Sequence, residues 1–370
     1  MNKRFLSLLM LLIITAPLFA QVDRSKMPGP GPAPEIKIGD YKSFELENGL
    51  KVFVVENDNL PRISIQLTLD RDPIFEGENV GYINAAGQLM RTGTANKTKD
   101  QLDEAIDFIG ASLSTSSTGV FASGLSKQTE KIMELMSEVV LTPNFTQDEL
   151  DKIKKQMISG IQSQKDDPNA IMGNVRPALI YGKDHPYGEL MTEENVESIT
   201  LEMCNEYYKN YFRPNIGFMA IVGDIDFDDA KDLVEDYFGS WVKAEVPTNE
   251  VKASRAPLIR KVALVDRSSS VQSIVDVAYP VKLEIGSDDA IVASLLNMIF
   301  GGSFSGRLNL NLREDKGYTY GARSSLSPDE YIADFSASTS VRNAVTDSTV
   351  DQILEEMKKI RTEGVTQDEL

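Results

Sequence analysis

The segment Phe145–Leu150, FTQDEL, returns almost letter for letter as VTQDEL at Val365–Leu370. Each copy spells a helix start. Thr146 with Glu149 three residues on, flanked by Phe145 and Leu150, is matched by Thr366 with Glu369, flanked by Val365 and Leu370; both make a capping box with a hydrophobic staple. Capping boxes are common, so the flanks decide. TEKIMELMSEVVLTPNFTQDEL and STVDQILEEMKKIRTEGVTQDEL both place apolar residues at helical spacing ahead of a short turn and the box. That is an internal duplication, two copies of one domain in tandem. About ninety residues follow Leu150 before the next linker, so a similar length is expected beyond Leu370, with the second copy incomplete and an apolar face left uncovered.

With 370 residues and 41% apolar side chains, the chain can build two sizeable cores. Its first twenty residues, MNKRFLSLLMLLIITAPLFA, have a basic start at Lys3 and Arg4, an apolar run from Phe5 to Thr15 and a small residue, Ala20, before Gln21. This is the pattern of a secretory signal. A spanning anchor is the alternative, but the run falls short of about 20 residues. Gln21 rather than Cys after Ala20 argues against lipid attachment, and no other stretch reads as apolar enough to span a bilayer. Removing Lys3 and Arg4 takes the formal charge from −18 to about −20, spread along the chain, which opposes nucleic-acid binding. Cys204 is the only cysteine, so no internal disulfide forms, and a buried, inert thiol is expected.

These signals divide the chain into a signal peptide (1–20), a Pro/Gly-rich tether (21–43), a first domain (44–242), a polar linker (243–257) and a second domain (258–370). The first domain opens with FELENGLKVFVVEND, alternating across an Asn-Gly turn. Helices are expected at about 79–91 and 98–109 and strands at 112–125, followed by long amphipathic helices. The order predicts an α+β fold, two homologous domains each with a sheet covered by helices.

The stretches FELENGLKVFVVEND, GYINAAGQLMRTGT, HPYG, YYKNYFRPNIGFMAIVGDID, YFGSW and GGSFSGRLNLNLREDKGYTYGARS resemble, in order, the landmarks of peptidase family M16, the insulinase/pitrilysin zinc peptidases, and most of all its mitochondrial-processing-peptidase-like group. The resemblance runs from about Phe44 to Leu370. It implies two similar αβ domains facing each other across a chamber for extended peptides, which accounts for the repeat.

Members of that family use an H-x-x-E-H helix: two His bind zinc, the Glu activates the bound water, and a downstream Glu completes the ligand set. In the matching segment Asn84 stands at the first His, Gly87 at the Glu and Gln88 at the second His, and the downstream positions read Ser159 and Gly160. The chain also has a single histidine, His185, so no such pair can form anywhere in it. His185 lies in KDHPYG, which reads as a turn. No zinc or other cofactor is therefore expected on this chain, and no hydrolysis by the chain alone. The GGSFSGR loop has neither a G-x-G-x-x-G nor a Walker lysine, which argues against nucleotide binding.

In the second domain the resemblance implies a functional pair. Arg313 and Tyr320 stand in a register resembling the family's substrate-binding Arg and Tyr, and a guanidinium and a phenol can donate to peptide carbonyls of any sequence. On residue types alone they read equally as solvated residues on a strand edge. Some members of the family split the work between a chain with the zinc motif and a chain with the Arg/Tyr pair. The resemblance thus implies an exported, periplasmic, zinc-less subunit that pairs with a zinc-bearing M16 paralogue. Two alternatives remain at this level: a structural scaffold resembling respiratory-complex core subunits, and a periplasmic peptide-binding module acting alone.

Overall fold

The alternation of FELENGLKVFVVEND folds as an antiparallel hairpin, β1 (Lys42–Glu45) and β2 (Lys51–Glu56), with Phe44 opposite Val52. Gly49 closes its turn at φ 91°, in the left-handed region that favours glycine. The computed structural model describes residues 31–32, 39–251 and 259–370. The signal peptide expected at 1–20, most of the tether at 21–43 and residues 252–257 of the linker lie outside the described residues. Tyr41–Leu370 forms one compact unit.

After the hairpin come β3 (Arg62–Leu69), α1 (Tyr82–Leu89), α2 (Lys99–Phe108), β4 (Ser112–Ser116), β5 (Gly119–Leu125), α3 (Thr129–Leu141), α4 (Gln147–Gln164), α5 (Pro168–Ile180), α6 (Glu193–Ser198), α7 (Leu201–Tyr211), β6 (Gly217–Gly223) and α8 (Phe227–Phe238). The first sheet runs β1-β2-β6-β3-β5-β4, with β2 and β6 parallel. Alternate residues on one face, among them Val54, Ile65, Leu67, Ala122, Met219 and Ile221, are buried in the core. α2 is capped as its sequence directs: Thr98 accepts from the N–H of Gln101 and the Gln101 side chain accepts in return.

The second half holds β7 (Gln272–Val281), α9 (Asp288–Asn297), α10 (Arg307–Asn309, continuing as a π-helical turn over Leu310–Asp315), β8 (Ala322–Leu326), β9 (Ala333–Arg342) and α11 (Thr346–Glu363). Its sheet runs β7-β9-β8, antiparallel throughout. A separate core gathers Val275, Phe300, Leu308, Leu312, Phe335 and Ile353. In the first half α1 is packed between α4 and α7. The apolar residues Ile291, Val292 and Leu295 of α9 are instead exposed.

The two FTQDEL-like segments behave differently. Thr146 accepts from the Glu149 N–H at 3.4 Å, α4 follows, and Leu150 is fully buried. At the second copy Glu369 accepts from the Thr366 N–H and hydroxyl, the reciprocal half of the box, but residues 367–369 form only a turn and Leu370 is exposed. Glu369 is also gripped by Arg307, which holds its carboxyl down at about 2.

One expectation needs correcting. Among the described residues Asp288–Asp315 is long and apolar enough by composition to cross a membrane. It is not a continuous helix, however, because the chain extends at Ser303 and restarts at Arg307, leaving backbone groups that a bilayer core would not satisfy.

The two halves meet across a polar seam. Arg176 of α5 ion-pairs with Asp276 of β7 at 2.8 Å and with Asp334 of β9. Tyr181 donates to Asp334 at 2.8 Å, Tyr187 to Asp329 at 3.1 Å, and in the other direction Tyr331 donates to Asp72 at 2.7 Å. The two apolar cores share no residue.

Candidate functional site

α1 carries Asn84, Gly87 and Gln88, the positions that the sequence resemblance sets against the H-x-x-E-H motif. Its N-terminus is organised by two carboxylates. Glu76 accepts from the N–H groups of Gly81 and Ile83, both at 3.0 Å, and Glu189 accepts from those of Glu76 and Gly77 at 3.0 and 2.6 Å. Gly81 sits at φ 108°, and a Cβ there would lie 2.7 Å from the Met191 sulfur.

Burial pushes the carboxyls of Glu76, Glu189 and Asp276 up from their ordinary range, against the hydrogen bonds and, for Asp276, against Arg176. A raised folded-state pKa gives a stability contribution that is complete below the unfolded value of about 4 and is lost as pH rises through the raised value. Asp72 has the opposite sign: the Asn249 N–H and the Tyr331 hydroxyl hold it down, so its contribution is present above about 4 and lost as pH falls. The melting temperature is therefore expected to be higher at about pH 5 than at about pH 8, with Glu76→Gln flattening the slope. An unchanged slope in that variant contradicts the assignment to Glu76.

On the outer surface of α1, Gln88 donates from Nε2 to Oδ1 of Asn84 at 2.6 Å, so the two amides satisfy each other one helical turn apart. Gly87 is buried against the β4–β5 turn. A Cβ at this position would lie 2.4 Å from the Ser117 nitrogen and 2.5 Å from the Ser116 carbonyl carbon. Two hydrogen bonds hold the turn there: Thr115 donates to the Gly87 carbonyl at 2.7 Å, and the Tyr207 hydroxyl donates to the Ser117 carbonyl at 2.5 Å. At Gly87 the backbone of the Ser116–Ser117 turn is in contact and leaves no room for a side chain. Gly87→Ala is expected to cost about 1–3 kcal/mol by overpacking; a melt indistinguishable from wild type would show that the turn yields freely.

These residues do not fit zinc. The facing donors are neutral amides already bonded to each other, which are poor ligands for this metal. Ser159 is exposed on α4, and space opens at Gly160. His185 is in the turn its sequence suggests, at the start of the single turn Pro186–Gly188, but it is not a simple surface loop residue. It is 4% exposed, stacks on Tyr181 with ring centroids 5.4 Å apart, and its Nδ1 accepts from the Tyr187 N–H at 3.0 Å. It therefore belongs to the packing beside the seam. Cys204 is buried, and burial pushes its thiol up to about 12, as for an inert cysteine.

Arg313 and Tyr320 are not on a strand edge. Arg313 lies in the π-helical turn after α10, and Tyr320 lies in the loop before β8, 94% exposed. The Arg313 guanidinium stacks over the Phe304 ring, 4.3 Å from its centroid, and its Nη1 lies 3.4 Å from Glu314. Phe304, a contact the sequence reading missed, is itself 70% exposed.

Two family models match this chain: Insulinase (Peptidase family M16) over residues 62–193 and Peptidase M16 inactive domain over residues 198–370. The chain belongs to peptidase family M16. Among the similar M16 proteins is a Bacillus subtilis chain named as an uncharacterized zinc protease, YmxG, which is 24% identical over 286 residues, covering 75% of this chain and 68% of that one. A crystal structure of a peptidase M16 inactive domain from Pseudomonas fluorescens superposes with a TM-score of 0.79 at 23% identity, covering 89% of this chain and 81% of the other. The periplasmic protease PqqL of Escherichia coli superposes with a TM-score of 0.72 at 16% identity, covering 91% of this chain and 39% of the other. The M16 fold, with its mixed sheets and helices, is thus shared along nearly the whole described chain.

Proposed function

We propose that this chain is a non-catalytic M16 subunit, exported to the periplasm, that presents Arg313 and Tyr320 to a peptide in a chamber shared with a zinc-bearing M16 paralogue. The observation that carries the proposal is the closure at Gly87, where the resemblance expects a catalytic Glu: the backbone of Ser116 and Ser117 fills the space a side chain would need. In such a pair the partner's zinc supplies the activated water. This chain supplies hydrogen-bond donors. β4 is an edge strand, bonded only to β5, and lies beside α1, so an extended peptide can add to its free side through main-chain hydrogen bonds. The guanidinium of Arg313 and the exposed hydroxyl of Tyr320 can then donate to peptide carbonyls. Export is supported by the leader-like first twenty residues and by the periplasmic location in the name of PqqL.

The test is metal content. After dialysis the purified chain should contain well under one zinc and leave unstructured peptides intact. About one zinc per chain, removed by chelator together with hydrolytic activity, overturns the reading.

A further inference from the structure

We propose that Phe304 is a specificity-determining residue, whose ring forms an apolar contact for a large aliphatic or aromatic side chain of the peptide that Arg313 receives. This rests on the reading of Arg313 as a peptide-holding residue. One face of the ring carries the guanidinium, yet 70% of Phe304 remains in solvent. The loop that presents it is fixed rather than slack. Gly301 is pressed on β8 so closely that a Cβ would meet the Ser324 nitrogen at 2.8 Å, and the Ser303 carbonyl accepts from Gly306 N–H at 3.1 Å and from the Asn309 side chain at 3.4 Å. A fixed, exposed aromatic under a guanidinium offers two kinds of contact a few ångströms apart: donors for a backbone carbonyl and a flat apolar surface for the neighbouring side chain. Serine, lysine or glutamate at that peptide position gains nothing from the ring, whereas phenylalanine or leucine buries area against it.

The experiment is fluorescence-anisotropy titration of the full chain with labelled peptides of Ser, Thr and Ala, in which a single Phe is moved through the sequence. The best Phe-containing peptide should bind at least about fivefold more tightly than the Phe-free peptide. In Phe304→Ala that ratio should fall to within about twofold while the melting temperature stays unchanged, because the ring is largely exposed, and Phe304→Tyr should restore the ratio. Equal affinities in the wild type, no binding of any peptide, or a preference that survives Phe304→Ala overturns the proposal. Failure of the subunit reading is separate: it shows as a mixture with a zinc-bearing partner that does not hydrolyse peptides, with the preference of this chain intact.

Discussion

Replacing Arg176 with alanine should destabilise the compact unit by about 3–5 kcal/mol, the largest effect expected of any single change at the seam. Asp276 has a side chain only 5% exposed, and its charge is met by Arg176 and by the Ser336 hydroxyl at 2.8 Å. Burial already outweighs that help, since the carboxyl sits above its ordinary range despite the guanidinium beside it. Without Arg176 the carboxylate must stay charged with one neutral donor or take up a proton, and Asp334 keeps only Tyr181 across the seam. Removing the carboxylate as well should recover part of the loss, so Arg176→Ala with Asp276→Asn should melt above Arg176→Ala alone. Because the two cores share no residue, the loss should also uncouple them, and the single melting transition should broaden or split. A cost below about 0.5 kcal/mol would place the seam among ordinary surface ion pairs.

Tyr320→Phe removes one hydroxyl from a side chain that is 94% exposed, so the fold and any pairing should be unaffected. If that hydroxyl donates to the oxygen on which charge develops, the mixture with a zinc-bearing partner should lose on the order of 100-fold in rate. Arg313→Ala should raise KM as well as lower kcat, because a cation that holds the ground-state backbone contributes to both. The exposed Phe108, in the other half of the chain, is the appropriate control; the buried His185 is not, since changing it would disturb the Tyr181–Tyr187 packing.

The sequence made the local rules legible. The Asn-Gly turn, the cap at Thr146 and the strand alternation each act over a few residues, and each is found where those rules place it. The absence of a histidine pair is a matter of composition and needs no structure. What stayed hidden depends on contacts between distant segments. Gly87 reads as a mere substitution until the turn at Ser116–Ser117, held by Tyr207 from α7, is seen against it. His185 lies among turn residues that suggest solvent, and only the rings of Tyr181 and Tyr187 bury it. The π-helical turn that carries Arg313 has no sequence signature comparable to a cap or a proline, so the pairing of Arg313 with Phe304 could not be read from spacing.

The measurement that bears most directly on the central claim is peptide hydrolysis by this chain, by a zinc-bearing M16 paralogue from the same genome, and by the two together. Neither chain should turn over peptide alone, the mixture should do so at a rate that scales with the scarcer chain, and that turnover should be lost with Tyr320→Phe and Arg313→Ala. A mixture that stays inactive, or one whose activity survives both substitutions, would contradict that claim and leave the M16 fold of this chain serving as a scaffold.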